Sequence, residues 1–278
     1  MSTVREALAR LQRDGLDRLD AQMVLLLALQ RGPHDRAWLM AHDGDALQAD
    51  TAGRLDALVQ RRRSGEPMAY LRGEQEFFGL PLAVDPRVLV PRPDTETLVN
   101  WALELVGAGS NGARVLDLGT GSGAIALALA SQRPLARVSA TDESEGALEV
   151  ARSNARSLEL PVQFHIGSWL HAVPGQRFDL IVTNPPYIAD NDPHLAALAH
   201  EPLTALTAGA DGLDDIRDII NNAPKALLPS GWLLIEHGFD QAAAVRSLLQ
   251  DAGFKQVSSR TDLAAIERCS GGQWPHAR

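Results

Sequence analysis

Apolar residues recur at three- and four-residue intervals through the first quarter of the chain. Leu8, Leu11 and Leu16 lead into Leu19, Met23, Leu26 and Leu27, and Leu55, Leu58 and Val59 repeat the spacing. That period lays the apolar side chains along one helix face, so residues 1–75 are predicted to form a small all-α bundle. Gly32-Pro33 and Asp43-Gly44 supply turns, and Ser64-Gly65-Glu66-Pro67 ends the helix that carries Arg61, Arg62 and Arg63. Between Phe77 and Val90 the pattern shortens into extended runs broken by Gly79, Pro81 and Pro86, which predicts a β-hairpin linker over 76–95. From residue 96 to 278 apolar strand runs, at 114–121, 137–142, 162–167, 178–187 and 231–238, alternate with helical stretches of about 10 to 15 residues. Such alternation predicts an α/β domain with a mainly parallel, doubly wound sheet. The runs at 255–262 and 265–270 follow one another without a helix between them and are predicted to form an antiparallel hairpin at the sheet's edge.

Composition narrows the class. With 45% hydrophobic and 22% charged residues the chain is an ordinary globular one, not a disordered or collagen-like one. The longest apolar stretches, such as Met23 to Leu29, fall far short of the roughly 18 residues a membrane span requires. The first residues lack a hydrophobic signal core, so the expected location is cytoplasmic. A single cysteine, Cys269, excludes an internal disulfide, and no Cys/His cluster has metal-ligand spacing, so no metal is expected. A net charge of -9 argues against a broad duplex-binding surface, and no direct sequence-specific nucleic-acid binding is expected. The Arg61 to Arg63 run is either a solvated helix end favoured by the macrodipole or a contact for an anionic partner.

Candidate chemistry begins at Asp117-Leu118-Gly119-Thr120-Gly121-Ser122-Gly123, where three glycines stand between a strand and a helix. Glycine permits a tight turn and leaves no side chain between backbone and ligand. A dinucleotide site prefers G-x-G-x-x-G, whose helix N-terminus receives a pyrophosphate; here the spacing is G-x-G-x-G. S-adenosylmethionine, whose amino acid end carries no phosphate, suits this turn better: backbone N–H groups would meet its carboxylate and Asp117 would favour its sulfonium. Asp142, at the end of the next strand, would accept both ribose hydroxyls, or else serve as a helix cap.

The strongest signal is Asn184-Pro185-Pro186-Tyr187, directly after the apolar strand run Phe178 to Val182. In an open parallel sheet ligands bind beyond the carboxyl ends of the strands, so this loop and the glycine turn should border one crevice. Two consecutive prolines restrict the backbone and remove two N–H donors, leaving carbonyl oxygens free to accept. The Asn184 side-chain oxygen and the Pro185 carbonyl would each accept one N–H of a planar NH2 group, with the Tyr187 ring over its flat face. An amide or exocyclic amine nitrogen is a poor nucleophile, so two aimed acceptors would have to orient it towards a methyl carbon and stabilise the charge that develops.

On these residues the chain resembles the bacterial peptide chain release factor glutamine methyltransferases. The resemblance extends over Gly65-Glu66-Pro67 with Ala69-Tyr70 and Gly73, Glu76-Phe77-Phe78-Gly79, and Val90-Pro91-Arg92-Pro93-Asp94-Thr95-Glu96. It continues through Leu116 to Gly123, Asn184 to Tyr187, Glu201-Pro202 with Ala205-Leu206, and Ile235-Glu236-His237-Gly238 with Gln241. It implies a helical N-terminal domain that helps dock the substrate protein, a hairpin linker and a seven-stranded, Rossmann-like class I methyltransferase domain. It implies as cofactor S-adenosylmethionine, giving S-adenosylhomocysteine, and as partner a release factor whose Gly-Gly-Gln tip is methylated at glutamine N5. By this likeness the cofactor pocket holds Gly119, Thr120, Gly121, Ser122, Gly123, Asp142, Trp169 and Asn184. Asn184, Pro185, Pro186 and Tyr187 receive the glutamine, and Arg92 contacts substrate backbone, unless it forms a salt bridge with Asp94 or Glu96. Trp169 would pack against adenine, or be a half-buried aromatic after a strand.

The tetrad is shared with enzymes that methylate adenine or guanine amines in RNA or DNA, the second reading; such a protein would want basic and aromatic residues along a groove. An NAD-dependent oxidoreductase would leave the tetrad unexplained, and a cofactor-binding scaffold has no feature of its own here. The chain departs from the family where Asp-Leu-Ala-Gly and Asp-Arg are usual: it reads Asp262-Leu263-Ala264-Ala265-Ile266-Glu267-Arg268, with Ala265 in place of a turn glycine. It also carries its own Gly271-Gly272-Gln273, expected to lie in a flexible polar tail.

Overall fold

The structure, a computed structural model, describes residues 2–107 and 111–275. By its internal contacts the chain divides into two compact units, Met1–Gly73 and Glu74–Arg278.

The first unit is all helical: α1 (Val4–Arg13), α2 (Arg18–Ala28), α3 (Arg36–Ala41), α4 (Ala49–Arg63) and α5 (Met68–Arg72). Thr3 and Glu6 form a capping box at α1, satisfying two donors that a helix start leaves open. Leu11, Val24, Leu25, Leu26, Leu39 and Leu55 are buried together. Leu19, expected on the apolar face, is 50% exposed, while Val24 and Leu25 are fully buried. Of the expected stripe Leu26 is fully buried, but the buried face is centred on Val24, Leu25 and Ala28 as well, because the apolar run of Met23 to Leu29 offers more than one stripe. Two arginines of the run find partners within the unit, Arg61 Nε donating to Glu66 at 2.8 Å and Arg62 to Asp20 at 2.7 Å, while Arg63 is exposed.

The second unit opens with an antiparallel hairpin, β1 (Glu74–Phe77) and β2 (Leu80–Ala83), turning at Phe78 and Gly79, both at positive φ. Its first strand begins earlier than the apolar pattern suggested, since Glu74, Gln75 and Glu76 gave no apolar signal. After α6 (Glu96–Leu105) come β3 (Arg114–Leu118), α7 (Ala124–Gln132), β4 (Arg137–Asp142), α8 (Glu145–Ser157), β5 (Val162–Ile166), β6 (Phe178–Thr183), α9 (Asp214–Ala226), β7 (Leu227–Glu236), α10 (Ala242–Asp251), β8 (Lys255–Thr261) and β9 (Glu267–Gln273). The seven strands from β3 onward form one sheet in the order β5-β4-β3-β6-β7-β9-β8, parallel except for β9 against β7 and β8. Helices cover both faces. Val115, Leu180, Val182 and Leu234 join the core beneath α6 and α7, while Leu116, Leu118, Ile181, Leu233 and Ile235 join the core beneath α9 and α10. Burial on both sides explains why these strands read as continuous apolar runs.

The closing hairpin keeps its turn despite Ala265. That residue sits at φ 61°, in the left-handed region, and the turn is tied by Asp262, whose Oδ1 accepts from Ala264 N at 2.8 Å and Ile266 N at 3.0 Å. We expect Ala265→Gly to raise stability by about 0.5–1 kcal/mol, the left-handed penalty of an L residue less glycine's extra chain entropy. Denaturant unfolding measures this, and a midpoint at or below the parent's would show that the turn carries no strain.

Gly271-Gly272-Gln273 is not a tail. It is the end of β9, with Gly271 opposite Leu234 and Gln273 opposite Trp232. A Cβ on Gly271 would lie 2.4 Å from Leu234 Cδ2, and the Gln273 carboxamide donates to Ser230 O at 3.1 Å and accepts from Gln256 Nε2 at 2.6 Å. The tripeptide is a packing solution for this strand.

Candidate active site

The chain builds β3, β4 and β5 outwards in one direction, then returns to lay β6 on the other side of β3. Between β3 and β6 the sheet has its topological switch point, where strand-end loops diverge and leave a crevice. Leu118 and Thr183 are register partners, and Thr183 Oγ1 donates to Leu118 O at 2.8 Å. The glycine turn and the Asn-Pro-Pro-Tyr loop therefore leave the sheet side by side.

One cavity above this point is lined by Gly119, Thr120, Gly121, Ser122, Asp142, Trp169, Asn184, Pro186 and Arg92, together with Thr95, Asp215 and others. Gly119 has φ 67°, and a Cβ there would lie 2.9 Å from Trp169 Cζ3, so only glycine lets the indole lie against the turn. Trp169 is itself at φ 44°, and its Nε1 donates to Asp215 Oδ1 at 3.2 Å. Burial raises the Asp215 pKa, against the lowering effect of that bond. Gly123 lies outside the cavity and begins α7; a Cβ on it would lie 3.0 Å from Leu127 Cδ1 and 3.3 Å from Ala151 Cβ, so it serves helix packing.

Asp142 is half-buried, with Oδ2 accepting from Gly121 N at 2.8 Å and Oδ1 from Ser144 N at 2.9 Å. Burial raises its pKa and these two backbone donors oppose the rise. Each oxygen keeps a lone pair, so the carboxylate can still accept two hydroxyls from a ligand. Asp117 behaves differently from the expectation that it would favour a sulfonium. It is fully buried and does not line the cavity; Oδ2 accepts from Thr120 Oγ1 at 2.6 Å and Ala126 N at 3.2 Å, which ties the turn to the start of α7 from inside. Desolvation pushes its pKa up to about 7.

Asn184 Nδ2 donates to Thr95 Oγ1 at 3.3 Å. Pro185 and Tyr187 do not line the cavity. Pro185 is buried, and Tyr187 packs half-buried against the core beneath α9, with burial raising its phenol pKa. The Tyr187 backbone is pinned by N–H donation to Leu206 O at 3.2 Å and by Gln241 Nε2, which donates to its carbonyl at 3.0 Å. Arg92 takes a partner that spacing did not suggest. Its guanidinium donates to Glu201 Oε1, while Val90 N donates to Oε2 at 3.0 Å. Asp94 instead pairs with Arg268 at 3.3 Å, and Glu96 accepts from Phe78 N at 3.2 Å.

Residues 101–209 match the family model described as the methyltransferase small domain, and residues 2–73 the one described as the PrmC N-terminal domain. A release factor glutamine methyltransferase of Bordetella pertussis is 51% identical over 261 residues, covering 93% of this chain and 95% of that one. The chain belongs to the release factor glutamine methyltransferase family. Another member, from Xylella fastidiosa, is 48% identical over 97% of this chain and 98% of its own. Among solved structures, a methyltransferase from Pyrococcus furiosus is similar with TM-score 0.56 and 20% identity, over 72% of this chain and 91% of that one, a likeness of fold. The stretches that carry the resemblance to the glutamine methyltransferases lie in both units. Reading the residues one by one missed Thr95, Glu201, Asp215 and Glu236. Thr95, Glu201 and Glu236 stand inside the quoted family segments, so the segments marked them without saying what they touch.

Proposed function

We propose that this protein transfers a methyl group from S-adenosylmethionine to the side-chain N5 of the glutamine in the Gly-Gly-Gln tip of peptide chain release factors. What carries the reading is that one cavity joins the glycine turn, Asp142 and Trp169 to Asn184, in a chain of this family. The residues fit the cofactor: the cavity-lining part of the glycine turn, Gly119 to Ser122, would receive its amino acid end, the two Asp142 oxygens would accept its ribose hydroxyls, and the Trp169 indole would stack on adenine. S-adenosylmethionine supplies the electrophilic methyl carbon.

The protein's task is to make an unwilling nitrogen attack. Because Asn184 turns its Nδ2 to Thr95, its Oδ1 is the atom offered to the substrate. It accepts one N–H of the glutamine carboxamide, and the Pro185 carbonyl, set between the lining residues Asn184 and Pro186, accepts the other. Holding both N–H bonds aims the nitrogen and favours the positive charge that grows on it. Arg92, already bound to Glu201, offers its remaining donors to the substrate backbone at the cavity wall. The helical unit serves to dock the release factor. The test is incubation with labelled S-adenosylmethionine and a release factor, beside the same factor with Gln→Ala in its tip. Label is expected on the first alone, and equal label on both would end the assignment.

A further inference from the structure

Trp169 is held at both ends. At one end the six-membered ring meets the glycine turn, where a Cβ on Gly119 would lie 2.9 Å from Cζ3 and 3.4 Å from Cη2. At the other, Nε1 donates to Asp215 Oδ1 at 3.2 Å. Nε1 and Cζ3 stand at opposite ends of an indole, so the two contacts fix the ring along its length. Trp169 also packs on the core beneath α9, while both it and Asp215, in the first turn of α9, line the cavity. The backbone takes φ 44° to put the indole there, a state that a bulky residue adopts only at a cost. The indole is thus set in advance as a shelf for a flat ring, with a carboxyl at its rim. Of the other carboxyls lining the cavity, Asp142 holds Gly121 N and Ser144 N at the ribose position, and Glu143 beside it is exposed. Asp215 is the one joined to the shelf.

We propose that Asp215 selects adenine as the base of the cofactor, its Oδ2 accepting the exocyclic amine of the ring that lies on Trp169. The inference rests on the stacking role given to Trp169 under the proposed function. An indole nitrogen donates and cannot accept, so the bond at 3.2 Å makes Oδ1 the acceptor and leaves Oδ2 for a ligand. A base stacked on the indole lies one ring thickness from it, within reach of the oxygen that the indole does not hold. The adenine amine brings N–H donors to that edge. A hypoxanthine ring carries a carbonyl oxygen at the same place and sets acceptor against acceptor, and a site built to pair with an N–H rejects the analogue that lacks it. One carboxyl thereby does two things, bracing the stacking surface with one oxygen and reading the edge of the base with the other.

The test is calorimetry at about pH 8, above the usual carboxylate range, with S-adenosylhomocysteine and S-inosylhomocysteine as probes of the parent, Asp215→Asn and Asp215→Ala. The parent is expected to bind the adenosine probe at least about tenfold more tightly than the inosine probe, the scale of one hydrogen bond to a charged group. Asp215→Asn keeps an oxygen for the indole N–H, which turns its NH2 towards the base. That NH2 meets the inosine carbonyl and opposes the adenine amine, so the preference falls below about threefold or reverses. Asp215→Ala removes brace and acceptor together, weakening the adenosine probe more than the inosine probe. A residue that only braced Trp169 would weaken both probes alike and leave their ratio where it was. The proposal is overturned if the parent's preference is below about threefold, or if Asp215→Asn keeps the parent's ratio. If Asp215→Ala does not fold, Asp215→Asn decides alone. Failure of the parent to bind the adenosine probe would instead remove the cofactor reading beneath the inference.

Discussion

Asn184→Ala lowers turnover on a release factor by about 10²–10³-fold, roughly 2.7–4 kcal/mol of transition-state stabilisation, the usual loss when one preorganised polar contact to developing charge is removed. Cofactor binding persists at least in part, because the glycine turn, Asp142 and Trp169 are untouched. The expectation follows from the division of labour within one side chain. Nδ2 bonds Thr95, so on this reading truncation takes away the oxygen offered to the substrate and little of the scaffold. Single-turnover measurement with prebound cofactor separates chemistry from binding. An unchanged rate would contradict the acceptor role, and loss of cofactor affinity in step with rate would make Asn184 a cofactor ligand only. Asn184→Asp should also be impaired: it keeps an oxygen but forfeits the donor to Thr95 and sets a second carboxyl beside buried Glu236.

Asp142→Ala weakens cofactor binding by about tenfold to a hundredfold, or roughly 1.5–3 kcal/mol, the worth of hydrogen bonds to a charged group. Two losses combine here, since the same carboxylate that is to accept ribose hydroxyls also anchors Gly121 N and Ser144 N. Asp142→Asn separates them: it retains one acceptor for the turn and gives up the charge. The pH dependence has a definite sign. Burial raises the Asp142 pKa, and hydroxyl donors favour the ionised form, so affinity falls as pH drops through that raised value. Calorimetry across pH tests this, and affinity indifferent to the Ala substitution would leave the ribose unassigned.

The parts of the site that sequence made legible are those fixed by local chain geometry. Asp142 ends a strand, and Gly119 to Ser122, Trp169 and Asn184 follow one closely, and strand ends in a parallel sheet share one edge, so recognising the strands was enough to bring them together. What stayed hidden depends on which way a side chain turns or on what arrives from far along the chain. Asp117 lies in a strand buried on both faces, where alternation does not say which side holds the ligand, and it turned inward to Thr120 and Ala126. Arg92 finds Glu201 across 109 residues, past the nearer candidates Asp94 and Glu96. Glu236 closes an apolar strand and by composition alone would pass for its polar end. Leu19 misled because propensity and spacing constrain a helix's phase only weakly when its apolar run is broad.

The sheet order has a consequence for synthesis. β9 lies between β7 and β8, so β8, although made earlier, has no neighbour to join until β9 has followed it. A nascent chain that has not yet reached Glu267 carries an open β7 flank, with the wholly apolar Leu233-Leu234-Ile235 along it. That is the kind of edge that recruits strands from other chains. Chains cut short within this stretch should yield aggregation-prone fragments, whereas chains that carry β9 through Gln273 can seal the sheet.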